Sequence, residues 1–140
     1  MGEYIKEFDI WNKEKKELHM SEEIEIYPKP RHIWYAKFGV NIGSESDGKA
    51  EFLRPVLVLS KIGSLYWVVP LTSKFKENIF HHTLESVKFE KIEYSLIMLS
   101  QARIIDKKRF QERIGKMVSK EEFSEIQKKM KSLYFPSISS

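Results

Sequence analysis

Residues 53–73 read LRPVLVLSKIGSLYWVVPLTS, and the fold turns on how this stretch is paired. Two apolar runs, 56–59 and 65–71, flank Gly63 and Ser64. β-Branched and aromatic residues fill both runs, and a two-residue Gly-X loop signals a type II′ hairpin. The stretch therefore predicts an antiparallel hairpin turning at Gly63-Ser64, with Ile62 paired to Leu65. Counted outward from that turn, Arg54 falls opposite Ser73 and Thr72 points to the other face. Pro70 has no N–H to give the ladder, so a bulge is expected there, and one bulged residue turns Thr72 to Arg54's side. In either register the outer end of a rigid hairpin carries an arginine beside a hydroxyl.

Composition sets the limits. A chain of 140 residues, 41% hydrophobic and 13% aromatic, suits one folded domain with a core of ordinary size. There is no cysteine, which excludes disulfides and thiolate metal sites. No apolar run approaches the roughly 18 residues of a membrane helix. The first residues, MGEYIKEFDIW, carry acids where a signal peptide needs a basic and then an apolar stretch, and they lack the serine or threonine of a myristoylation site. A cytoplasmic location without a lipid anchor is the expectation. The net charge of +4 is uneven: residues 106–140 hold nine basic and five acidic side chains, whereas residues 1–31 hold six and eight. A basic C-terminal part suits a polyanionic partner, although a solvated surface explains it equally well.

Working outward, residues 3–19 read as a helix with Ile5, Phe8, Trp11 and Leu18 near one face. Pro28 and Pro30 make a stiff connector, so residues 1–30 form an N-terminal extension and residues 31–140 the main domain. Residues 32–38 predict a strand that points Ile33, Tyr35 and Lys37 one way and Trp34, Ala36 and Phe38 the other. Residues 39–51, rich in glycine and polar side chains, predict a long loop of the kind that often carries function. Residues 79–84 and 94–105 read as further strands, the second long enough to bend. Residues 106–113 suit a short helix and 114–118 a short strand. Ser119 and Glu122 form a capping box opening a helix whose stripe is Phe123, Ile126, Met130 and Leu133. The fold class is mainly β with helices: a small, SH3-like, partly open β-barrel with an N-terminal helical extension and a C-terminal helix.

Four blocks then fall in order: IWYAKFGVNIGSE, LRPVLVLS, VVPLTS, and LSQARIIDKKRF followed by IG. Together they span residues 33–115 and resemble the MazF/PemK (Kid) family of toxin endoribonucleases. The resemblance implies a homodimer, metal-independent and sequence-selective cutting of single-stranded RNA (mRNA), and inhibition by a cognate antitoxin. Arg54 matches the family's catalytic arginine and Thr72 the catalytic threonine of the MazF branch. Ser44 and Glu45 lie in the loop that lines the RNA groove in the family, and Gln101 and Arg103 match positions near bound RNA. Ser73, beside Thr72, joins the RNA-binding set. The PemK branch places an acid, an arginine and a histidine where this chain has Ser100, Met98 and Ser44, so activity is expected to follow the MazF branch.

The residue types suit that chemistry. Metal-free RNA cleavage needs a proton acceptor for the ribose 2′-OH, positive charge at the phosphorane and a donor for the 5′-oxygen. An arginine presents a fork of donors to phosphate at any working pH, and a threonine beside it orients or relays a proton. Trp34, Phe52 and Phe75 are candidates for base stacking, and Asn41, Ser44, Glu45 and Gln101 for hydrogen bonds to base edges. His81 and His82 are adjacent in a strand pattern and point to opposite faces, which argues against a shared metal ion. Tyr66 and Trp67 suit core or dimer contacts, and Lys107, Lys108 and Arg109 suit a solvated face or phosphate contact. The alternative function is a non-catalytic SH3-like toxin that docks to a protein target, as a CcdB-like gyrase poison does. A DNA-bound regulator lacks the expected helix-turn-helix pattern.

Overall fold

The computed structural model describes residues 7–22, 25–39, 53–73, 80–89 and 96–136. Helix α1 spans Phe8–Met20 and helix α2 spans Lys120–Tyr134. Between them lie β1 (Ile33–Lys37), β2 (Leu53–Ile62), β3 (Leu65–Thr72), β4 (His81–Thr83), β5 (Leu96–Met98), β6 (Arg103–Asp106) and β7 (Phe110–Ile114). All strand pairings are antiparallel, in the order β4-β5-β3-β2-β1-β7, and β6 adds to β3.

The β2–β3 hairpin turns at Gly63, whose φ is +62°. Among the described residues Ser64 does not share a positive φ, so the turn is type II′ rather than I′. Ile62 pairs with Leu65 as the sequence predicts. The bulge, however, is not at Pro70, which takes its place in the ladder opposite Val56. It lies on the other strand, where the register shifts between Val58 and Ser60 and leaves Leu59 as the extra residue.

Strand alternation sorts the apolar residues onto two faces. Trp34, Ala36, Phe38, Val56 and Val58 share one cluster with Tyr66, Val68, Ile105 and Phe110. Ile105 comes from β6, on the far side of β3, and Phe110 from β7, on the far side of β1. Those two strands meet in one cluster because the sheet curls into a partly open, SH3-like barrel. The opposite face, with Ile33, Leu57, Leu59, Val69 and Leu71, is covered by Phe123, Ile126 and Met130 of α2. Burying each such side chain contributes roughly 1.5–3 kcal/mol.

Four local expectations give way to tertiary demands. Residues 94–105 do not form one bent strand; a 3-10 turn at Leu99–Gln101 separates β5 from β6. Its position is held by the bond from Leu99 N–H to Phe80 C=O at 2.8 Å and by the Tyr134 hydroxyl, which donates to Leu99 C=O at 2.7 Å. Residues 106–113 are not a helix: one 3-10 turn, Lys107–Arg109, leads into β7, because Phe110 is required in the barrel core and β7 in the pairing with β1. The strand expected at 114–118 is thereby shifted to Phe110–Ile114. The Ser119 Oγ accepts the Glu122 N–H at 3.1 Å, but the Glu122 carboxylate does not complete a capping box. It turns instead to His82, Glu85 and Ser86.

Helix α1 packs through Trp11, which is 5% exposed, and the half-buried Leu18. Phe8, expected on the same face, is 49% exposed. Ile5 lies outside the described residues.

Candidate functional site at one rim of the barrel

Arg54 stands near the start of β2, Thr72 at the end of β3 and Arg103 at the start of β6. Because β2 runs antiparallel to β3, Arg54 and Thr72 lie at the same end of the sheet, while Arg103 enters β6 opposite Val68, four residues back along β3. The three also share a face. Arg54 is opposite Ala36 and Arg103 is opposite Val68, and both partners belong to the barrel interior. The Val56–Pro70 pairing, continued outward by two residues, sets Thr72 opposite Arg54. The Leu59 bulge produces this register; without it, counting from Ile62 and Leu65 would set Ser73 there.

Arg54 and Thr72 are almost fully buried, at 7% and 8% exposure. The Arg54 Nη1 donates to the Leu71 carbonyl at 3.0 Å, which ties the guanidinium to the residue preceding Thr72. Arg103 is half-buried, and its Cζ lies 4.8 Å from the centroid of the Phe38 ring, a cation–π contact. Gln101 is half-buried at the end of the 3-10 turn that leads to Arg103. Ser73 is exposed, one residue past β3. Ser44 and Glu45 lie outside the described residues, as do the stacking candidates Phe52 and Phe75 and the edge-bonding candidate Asn41. Trp34 is not available to stack on a base. It fills the barrel core edge-on to Phe110, with ring centroids 5.8 Å apart. Tyr66 packs on the same Phe110 ring at 5.2 Å, whereas Trp67 faces Tyr134 of α2.

Around the rim stands the basic run of residues 107–109, which the sequence suggests as a solvated face or a phosphate contact. Arg109 donates from Nη1 to the Lys37 carbonyl at 3.0 Å, and its guanidinium faces the Trp11 ring at 5.8 Å. Burial, with Arg103 alongside, lowers its pKa to about 10; Asp106 acts in the opposite sense. Even so lowered, Arg109 is cationic at neutral pH, so Arg103 and Arg109 put two positive charges close together. Lys37 carries a third and is ion-paired with Glu14 of α1. The β1 alternation turns Lys37 to the face opposite Ala36, so its pairing with Glu14 of α1 could not be read from the strand pattern. For Arg109 the signal was the basic run of residues 107–109, but its place beside Lys37 depends on the β6–β7 turn folding back toward β1. Of the basic run, Lys107 lies over Tyr27 at 4.6 Å and Lys108 donates to the His19 carbonyl at 2.8 Å.

His82 is buried and engages Glu122 at 2.9 Å, while His81 is half-buried on the other face of β4. Among the described residues no group of three or more histidine, aspartate or glutamate side chains is arranged to hold a metal ion. No described helix is long and apolar enough to cross a membrane.

The architecture defines a small SH3-like barrel protein with an arginine, a hydroxyl and a cationic rim at one end. The family model of PemK-like, MazF-like toxins of type II toxin–antitoxin systems matches residues 29–134, so the chain belongs to that family. Its fold is similar to that of MazF from Deinococcus radiodurans, with 23% identity, coverage of 79% of this chain and 98% of that one, and a TM-score of 0.64. It is also similar to a MazE–MazF complex from the same organism, with 20% identity, 81% and 100% coverage and a TM-score of 0.58. An endoribonuclease in complex with its cognate antitoxin from Mycobacterial species is 11% identical, with 80% and 100% coverage and a TM-score of 0.56. No curated protein matches the chain.

Proposed function

We propose that this chain is a metal-independent endoribonuclease that cuts single-stranded RNA, acts as a homodimer and is held in check by a cognate antitoxin. The observation that carries this reading is the bond from Arg54 Nη1 to the Leu71 carbonyl, which holds a buried guanidinium beside the buried Thr72 at the barrel rim. Arg103 shares the face of Arg54, and the basic rim around it suits a polyanion. The structural neighbours include a protein described as an endoribonuclease bound to its antitoxin, which supports both halves of the reading.

In this mechanism the ribose 2′-oxygen attacks the adjacent phosphorus and the P–O5′ bond breaks. The 2′-OH proton is lost toward Thr72, which orients the nucleophile and relays the proton, and the leaving 5′-oxygen gains one. Arg54 stabilises the negative charge that builds on the phosphorane. Its bond to Leu71 C=O restricts the guanidinium before substrate arrives, which is the condition for electrostatic preorganisation. Arg103 and Gln101, together with Ser44, Glu45 and Ser73, bind the strand on either side of the cut. The products are a 2′,3′-cyclic phosphate and a 5′-OH.

The test is cleavage of a long single-stranded RNA in EDTA by the wild type, Arg54→Ala and Thr72→Ala, with the ends mapped. Discrete cuts leaving 2′,3′-cyclic phosphates, reduced on the order of 10²–10³-fold by Arg54→Ala, are expected. A folded, antitoxin-free, dimeric wild type that cuts nothing would refute the nuclease reading and favour a toxin that docks to a protein target.

A further inference from the structure

Helix α1 meets the barrel at the Arg54 end. Ala36 is opposite Arg54 and Lys37 opposite Leu53, so residues 37–39 lie at the same end of the sheet as the candidate site. Three contacts of α1 converge there. The Glu14 carboxylate pairs with the Lys37 ammonium. The Trp11 ring lies directly on Gly39, where an added Cβ would fall 1.8 Å from the ring. The Arg109 guanidinium faces the same Trp11 ring while bonding the Lys37 carbonyl. Gly39 is also the last described residue before the segment that holds Ser44 and Glu45.

The chemistry of these contacts is specific. Helix α1 offers a carboxylate to an ammonium and an aromatic face to a guanidinium. Single-stranded RNA offers the same pair of groups, a phosphate oxygen and the face of a base. The receiving cations are suited to an anion: Arg109 is largely removed from water with Arg103 beside it, so added negative charge relieves their repulsion. The docked helix is also separable from the barrel. It joins β1 through a linker containing Pro28 and Pro30, and a 13-residue helix is marginal in isolation.

We infer that Lys37 and Arg109 form a second RNA subsite, taking a backbone phosphate and its neighbouring base beyond the Arg54–Thr72 cleft, and that α1 occupies this subsite as an intramolecular stand-in until RNA displaces it. This rests on the endoribonuclease reading. Because bound RNA and docked α1 exclude each other at Lys37 and Arg109, the apparent affinity for RNA scales with the undocked fraction.

The probe is a mixed-sequence single-stranded oligonucleotide with 2′-O-methyl riboses, which binds without being cut. Its affinity is measured by fluorescence anisotropy, and hydrogen exchange of the α1 amides is followed in the full-length wild type with and without it. Saturating oligonucleotide is expected to speed exchange across residues 8–20. Glu14→Gln and Trp11→Ala are each expected to tighten binding, on the order of threefold to tenfold. Adding Lys37→Ala to Trp11→Ala is expected to weaken binding again, with the salt slope reduced by about one. Binding that leaves α1 equally or better protected, or that both single variants weaken, would overturn the stand-in while leaving the nuclease reading intact. Absence of binding by every folded variant would overturn the RNA reading itself, and this subsite with it.

Discussion

Replacing Glu122 by glutamine tests how α2 is fastened to the barrel. The carboxylate is 8% exposed and accepts the backbone N–H groups of Glu85 and Ser86, each at 2.8 Å, the Ser86 hydroxyl, and His82 at 2.9 Å. Burial by itself would raise its pKa. The hydrogen bonds from the Ser86 and His82 side chains and from the two backbone amides outweigh that, and hold it at about 2 against an ordinary 4.5. The folded pKa is depressed, so the stabilisation is fully present above pH 4.5 and is lost as pH falls through about 2. At about 1.36 kcal/mol per pH unit the charged form contributes on the order of 3 kcal/mol at pH 7. At pH 3 about half of that remains. Glutamine keeps one acceptor but turns an NH₂ toward donors, so Glu122→Gln is expected to cost roughly 2–4 kcal/mol at pH 7. Urea unfolding of both proteins at pH 7 and pH 3 measures it. The gap should narrow to about half at the lower pH. A gap of equal size at both would refute the account, since it would mean that packing rather than charge makes the tie.

Arg54→Lys keeps the positive charge but loses the planar fork, and a fall in kcat on the order of 10²-fold is expected from single-turnover cleavage; near-wild-type turnover would mean that charge alone suffices. Tyr134→Phe removes a hydroxyl that donates to Leu99 C=O and accepts from Ala102 N–H, the two ends of the turn bearing Gln101. It is expected to cost about 1 kcal/mol in urea unfolding and to speed amide exchange at Ala102; unchanged exchange there would refute the tie. Gly39→Ala puts a methyl 1.8 Å from the Trp11 ring at a φ of +68°, so α1 must lift away and its amides must exchange faster than in the wild type; retained protection would contradict the close packing.

Much of this was legible because short-range pattern and long-range packing agree. The hairpin, its turn and the α2 stripe of Phe123, Ile126 and Met130 follow from period and turn chemistry alone. The failures share a cause. The residues of 94–105 suit a strand, but the hydroxyl of Tyr134 and the carbonyl of Phe80, both distant in sequence, fix a turn in the middle of it. The KKRF segment has helical propensity, but Phe110 is needed in the barrel core. Glu122 stands where a capping box puts its acid, and a buried histidine with two backbone donors outcompetes the one amide it would have capped. At the site, Arg54 and Thr72 were visible from sequence as a hairpin end. Lys37, Arg109 and Trp11 were each legible as members of a strand face, a basic run and a helix face, but their convergence depends on where the β6–β7 turn and α1 lie in space.

The bulge shows why core and site are set by one decision. The type II′ turn fixes Ile62 opposite Leu65, and a regular ladder would carry that parity to Val58, setting it opposite Val69. Val58 belongs inside the barrel and Val69 beneath α2, so a regular ladder would have forced one of them onto the wrong face. One extra residue on β2 resolves the conflict. It sets Val58 opposite Val68 and Val56 opposite Pro70, and it lets Leu57 and Leu59 both reach the cluster under α2. Continued past Val56 and Pro70 to the rim, the shifted parity sets Thr72, rather than Ser73, opposite Arg54. The pressure that locates the bulge is hydrophobic and acts at Leu59. The proline at position 70 misleads because a missing N–H only permits an irregularity, whereas two conflicting apolar faces require one.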